Sequence, residues 1–178
     1  YNRALGADEI KRLYRIGAPL KINKPLYTGS LTSGLVGSWS FDGPDMAGVT
    51  AYDRSGQANN GTLTNGPTRA IGQLGQALSF DGVDDYVNLT SNPISNYANA
   101  NSACAWILNK NVTQIGSNGA SQSFLGLYQD GNNGLRMGNY EGTPNGKFFV
   151  AYKAGGTDYT KMTSSAVFSS NVWYYACF

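Results

Sequence analysis

The residue pattern predicts an all-β protein: an antiparallel β-sandwich preceded by a short helix and a linker. Three observations carry that expectation. From Gly34 onward, short apolar or alternating runs are cut by Gly, Asn and Asp turns, the rhythm of half-buried strands. Only 13% of the residues are charged, well below the usual ~25%, and glycine and tyrosine help to fill the gap. Helical periodicity occurs once, near the N-terminus.

Residues 1–17 are the expected helix. Leu5, Ile10, Leu13, Tyr14 and Ile16 form a partial apolar stripe at helical spacing. Gly6 precedes Asp8 and Glu9, while Lys11, Arg12 and Arg15 lie in the later turns and Gly17 stops the run before Pro19. That charge order suits the helix dipole. A helix of about ten residues is marginal in water alone, so this one must dock. Residues 18–33 read as a linker, broken by Pro19, Pro25 and Gly29. Strands are expected at 35–41, 76–80, 85–89, 102–108, 123–128, 134–138, 147–152 and 172–178. Asp130–Gly134 and Pro144-Asn145-Gly146 are turn signals.

Composition also excludes chemistry. The chain has no histidine, so no Ser-His-Asp triad, Cys-His pair or imidazole ligand can form. Two cysteines cannot build a four-cysteine zinc site. A net charge of +2 exerts little pull on nucleic acid or membrane. The charge is uneven, however. Residues 1–24 hold six basic side chains against Asp8 and Glu9. No apolar run nears the ~18 residues of a membrane span. With no leader-like segment and no initiating Met, the chain is expected to be a mature or excised fragment of an extracellular or cell-surface protein.

The series Leu35-Val36-Gly37-Ser38-Trp39-Ser40-Phe41-Asp42, Ala51-Tyr52-Asp53-Arg54-Ser55-Gly56, Asn59-Asn60-Gly61-Thr62-Leu63 and Gly75–Val87 resembles the LamG-like, concanavalin A-like lectin/glucanase domains of bacterial surface proteins. Ser102–Ile107 and Trp173–Cys177 look like two further strands of that family. The resemblance covers residues 34–178 and implies a jelly-roll sandwich. It also implies that residues 1–17 are the closing segment of a preceding repeat, and that the sandwich at 34–178 is C-terminally incomplete. The missing strands are then either cut away or supplied by a neighbouring repeat or subunit. Because this fold hosts lectins, adhesion modules and glycosidases alike, it does not by itself select a function.

Several constellations each have two readings. Cys104 and Cys177 are either two buried thiols or a disulfide, as pentraxins carry in similar strand contexts and as an even cysteine count outside the cell favours. Asp53, Asn59 and Asn60 offer oxygens to a structural calcium ion, or bond their own backbone as turn residues. Asp81, Asp84 and Asp85 are a possible acid pair or metal site, but read better as a turn between strands. The glutamates that hydrolysis on this fold would need reduce to Glu9 and Glu141. Trp39, Trp106 and Trp173 read as core, and Tyr128, Tyr140, Tyr152 and Tyr159 as loop tyrosines able to meet sugars. The basic helix reads as a solvated face rather than a site for an anionic partner. Sequons at Asn60, Asn88 and Asn111 are short enough to arise by chance.

The expected function is a non-catalytic extracellular recognition or adhesion module, its partner a glycan or surface protein. The alternative is a structural repeat or subunit of a surface stalk or filament. A glycan-active hydrolase is the least favoured.

Overall fold

The computed structural model describes residues 1–16, 31–89, 91–94, 101–110, 121–130, 133–140, 147–154 and 156–177. Most of the expected linker, Glu141, the turn at Pro144–Gly146 and the sequon at Asn111 lie outside them. Among the described residues the protein is all-β, with antiparallel sheets and one short α-helix, as expected. It divides into two compact units, Tyr1–Pro93 and Ile94–Phe178. The division falls inside the stretch 34–178 that was expected as one sandwich, and the N-terminal segment belongs to the first unit.

In the first unit, helix α1 spans Ala7–Ile16. It is shorter than expected because Gly6 is its N-cap. The Ile10 amide donates to the Gly6 carbonyl at 3.1 Å, and Glu9, three residues into the helix, accepts from the Gly6 amide at 3.0 Å, which is half of a capping box. Glu9 is also forked by Arg3 at 2.5 and 2.9 Å. The segment before the helix is tied to its own chain: the Asn2 amide donates to the Gly34 carbonyl at 2.8 Å and Arg3 Nε to the Ser33 carbonyl at 3.0 Å. Leu5, Ile10 and Leu13 are half-buried and Tyr14 is exposed, so the stripe is partly as expected.

Strands β1 (Met46–Ala47), β2 (Thr50–Ala51), β3 (Gly61–Thr64) and β6 (Tyr86–Leu89) form one antiparallel sheet in the order β1-β2-β3-β6. Leu63 faces Val87 and Gly61 faces Leu89, while Thr62 faces Asn88 and Thr64 faces Tyr86. The apolar pairs share one face and the polar pairs the other, as a period of two requires. Gly61 is buried against Val87 and Ala51, and any side chain there would collide with Val87. Strands β4 (Thr68–Ile71) and β5 (Gln76–Ser79) make a separate hairpin. Among the described residues, Leu31, Leu35, Met46 and Ala51 are buried apolar side chains of this unit.

The second unit holds a four-stranded meander, β8 (Ser121–Asp130), β9 (Asn133–Tyr140), β10 (Lys147–Ala154) and β11 (Thr157–Val167). Leu135 and Met137 are buried on one face of β9, and Phe149 and Ala151 on the opposite face of β10. The middle of the sheet is therefore covered on both sides. Strands β7 (Cys104–Leu108) and β12 (Trp173–Cys177) pair in full register as a two-stranded ribbon. Buried Phe168 links the ribbon to the meander, with its ring edge-on to Tyr174, Phe124 and Phe148 at centroid distances of 4.8, 5.8 and 6.1 Å.

Two expectations need correction. Residues 35–41 form no strand. Phe41 has φ of +59°, a left-handed backbone that breaks an extended run. Groups a ladder would use are already bonded: the Ser38 amide donates to Asp53 and the Ser38 carbonyl accepts from the Arg54 amide. Tyr128, Tyr140, Tyr152 and Tyr159 lie in strands of the meander, not in loops, and Tyr152 is directly opposite Tyr159.

Candidate functional site

The densest polar constellation among the described residues is built around Asp53, just after β2. Its Oδ1 accepts from the Ser38 amide at 2.9 Å and the Ser55 amide at 2.8 Å. Its Oδ2 accepts from Ser55 Oγ at 2.6 Å and the Asn59 amide at 3.0 Å. The Asp53 amide donates to Asn60 Oδ1 at 2.9 Å. The bond from Asp53 to the amide two residues on is an Asx-turn. The bond to Ser38 reaches a segment 15 residues away, and the bond to Asn59 closes the loop itself.

The neighbours extend the hub. Trp39 Nε1 donates to the Asn59 carbonyl at 2.9 Å, and its ring lies over Gly37, where no side chain would fit. Asn59 Nδ2 donates to the Val36 carbonyl at 2.7 Å, and its Oδ1 accepts from Ser91 Oγ at 2.7 Å. Asp45 binds the Arg54 guanidinium and the Ser40 hydroxyl. This raises the Arg54 pKa above its ordinary value, chiefly through the hydrogen bond to Asp45. Asp42 stands at the head of the 3-10 turn Gly43–Asp45, where its carbonyl accepts from the Asp45 amide, and its carboxylate accepts from the Gln76 amide at 2.8 Å. Residues 35–60, which carried part of the family resemblance, thus form one hydrogen-bonded clasp.

The structure does bring Asp53, Asn59 and Asn60 together, but as acceptors already supplied with donors. As arranged, this set does not fit calcium, which needs six to eight oxygens turned toward one point. Asp42, Asp45, Ser38 and Arg54 escaped the sequence reading. The Asp-x-Ser signature at Asp53–Ser55 could have exposed part of the hub.

Asp81, Asp84 and Asp85 fall in the loop between β5 and β6, as the turn reading expects. Their carboxylate oxygens lie within 4.8 Å of one another. Asp81 accepts from the Val83 amide at 2.8 Å, and Asp85 from the Asp81 amide at 2.9 Å. The loop joins strands of two different sheets, so it is not a hairpin.

Cys104 and Cys177 form a disulfide. They sit directly opposite each other in the β7–β12 register, with Cα atoms 4.2 Å apart, the closeness of a non-hydrogen-bonded antiparallel pair. On the same face, Trp106 packs against Tyr175 at a centroid distance of 5.2 Å, and Leu108 opposes Trp173. Trp39, Trp106 and Trp173 are each half-buried rather than fully enclosed. Of the sequons, Asn60 has its side-chain oxygen engaged by Asp53, whereas Asn88 is exposed on β6.

No family model, curated protein or solved structure matches this chain. Among the described residues, no helix is long and apolar enough to cross a membrane.

Proposed function

We propose that this chain is a non-catalytic extracellular recognition module of LamG-like, jelly-roll type, with carbohydrate or a surface protein as its ligand. One observation carries the preference for recognition over hydrolysis. The half-buried carboxylates of the clasp hold backbone in place: Asp53 has four donors, and Asp42 and Asp45 bridge separate segments. A carboxylate so engaged is a poor nucleophile or general acid. Glu9 is held by Arg3 and the helix cap. The antiparallel sheets and the disulfide agree with an extracellular sandwich.

The test is a glycan array, with and without calcium, followed by release of reducing sugar from any polysaccharide bound. Binding without release supports the proposal. Binding to no glycan and no surface protein, or turnover, overturns it. The same protein tests calcium at Asp53, Asn59 and Asn60. With the donors placed as they are, calcium or chelator is expected to leave the melting temperature unchanged. A rise abolished by Asp53→Ala would assign an ion there.

A second reading, a structural subunit of a surface assembly completed by its neighbours, has its own observation. Among the described residues, β7 and β12 pair only with each other. A lone two-stranded ribbon is marginal and would gain from a further strand.

A further inference from the structure

Two surfaces of the first unit are exposed in the same chain, and so do not cover each other. One is the outer face of α1. Lys11, Arg12 and Arg15 are exposed there beside Tyr14, which is 56% exposed, while Ile10 and Leu13 turn inward. Of the helix's two acids, Glu9 is neutralised by Arg3 and only Asp8 meets Lys11, at 3.8 Å on an open surface. Such a pair is weak and easily exchanged.

The other surface is the loop from β5 into β6. Phe80, Val83 and Tyr86 are 44%, 84% and 48% exposed. A single exposed apolar residue is ordinary. Two in one short loop and a third, Tyr86, at the start of β6, bordered by carboxylates, have the make-up of a contact patch: an apolar centre with a charged rim.

We propose that this chain associates with a second copy of itself head to tail, helix α1 of one copy seated on the Phe80–Tyr86 loop of the next. The charges choose this occupant. Lys11, Arg12 and Arg15 meet Asp81, Asp84 and Asp85, three cations against three anions, and Tyr14 meets the apolar centre. Made head to tail, the contact is heterologous and repeats from copy to copy, giving rings or filaments. The proposal rests on the second functional reading, that copies complete one another.

Sedimentation velocity of the whole chain tests it. The mass at low salt should exceed the 19.0 kDa monomer. It should fall toward the monomer near 0.5 M salt, where the screening length drops to about 4 Å. Arg12→Glu with Arg15→Glu leaves the loop intact, and Val83→Ser with Asp84→Lys leaves the helix intact. Each double variant alone should be monomeric. Their equimolar mixture, having one good contact, should stop at the dimer. Folding of both is checked by circular dichroism, and the salt series on the unaltered chain needs neither. A monomer at every salt concentration overturns both this contact and the subunit reading. Association that ignores salt and survives both variants overturns this contact alone.

Discussion

Asp53 shows how one side chain can organise a loop. It accepts three backbone amides and a hydroxyl, and a hydrogen bond to a charged acceptor is worth about 1.5–3 kcal/mol. Asp53→Ala orphans the amides of Ser38, Ser55 and Asn59 together. Allowing for water reaching some of them, it should cost about 3 kcal/mol in urea unfolding, and Asp53→Asn about half that. Glu9 makes a pH prediction. The hydrogen bond from Arg3 and then that from the Gly6 amide lower its pKa from 4.5 to about 2. A carboxyl whose folded pKa is depressed adds stability that is complete above the unfolded value. That stability is lost as pH falls through the folded one. Helical ellipticity should therefore decline between pH 4.5 and 2, and Glu9→Gln should flatten the decline. An unchanged profile in Glu9→Gln would show that the Arg3–Glu9 fork does not hold the segment.

At the scale of elements, the β7–β12 ribbon depends on its staple. Among the described residues, its two strands of five residues pair only with each other. The disulfide closes a sequence separation of 73 residues, worth about 4 kcal/mol in the chain-entropy account. Cys104→Ser with Cys177→Ser, or reduction, should lower the melting temperature by roughly 10 °C. A calorimetric scan in reductant checks this. The ribbon was legible in advance, because Cys104-Ala105-Trp106-Ile107 and Trp173–Cys177 are short, continuously apolar and aromatic runs. The strand expected at 35–41 alternates, yet its backbone bonds to a loop and not to a strand. Nothing within seven residues reveals that competition. Strands β1, β2, β3, β4 and β11 went unrecognised because they are either very short or rich in Thr and Ser, with weak apolar alternation.

At the scale of the whole molecule, the clasp belongs to Tyr1–Pro93 and the disulfide to Ile94–Phe178. Perturbations of separate units should add. Asp53→Ala combined with loss of the disulfide should cost the sum of the two within about 0.5 kcal/mol. Hydrogen exchange should place the lost protection in 35–60 for the first change and in β7 and β12 for the second. Coupling well beyond that margin would mean that the two units unfold as one.

Local chemistry in the chain was enough to specify the strand-and-turn texture, the position and polarity of the helix, and the turn at Asp81–Asp85. Each depends on residues only a few positions apart. The cysteine pairing was narrowed by count alone, since two cysteines permit a single bridge. What Asp53, Asn59 and Asn60 do was open until their partners were placed. A carboxylate offers the same oxygens to a calcium ion as to an amide, and the choice rests on Ser38 and Val36, which fold back from 15 and 23 residues away. Long-range hydrogen bonding, invisible to periodicity, made this loop part of a clasp.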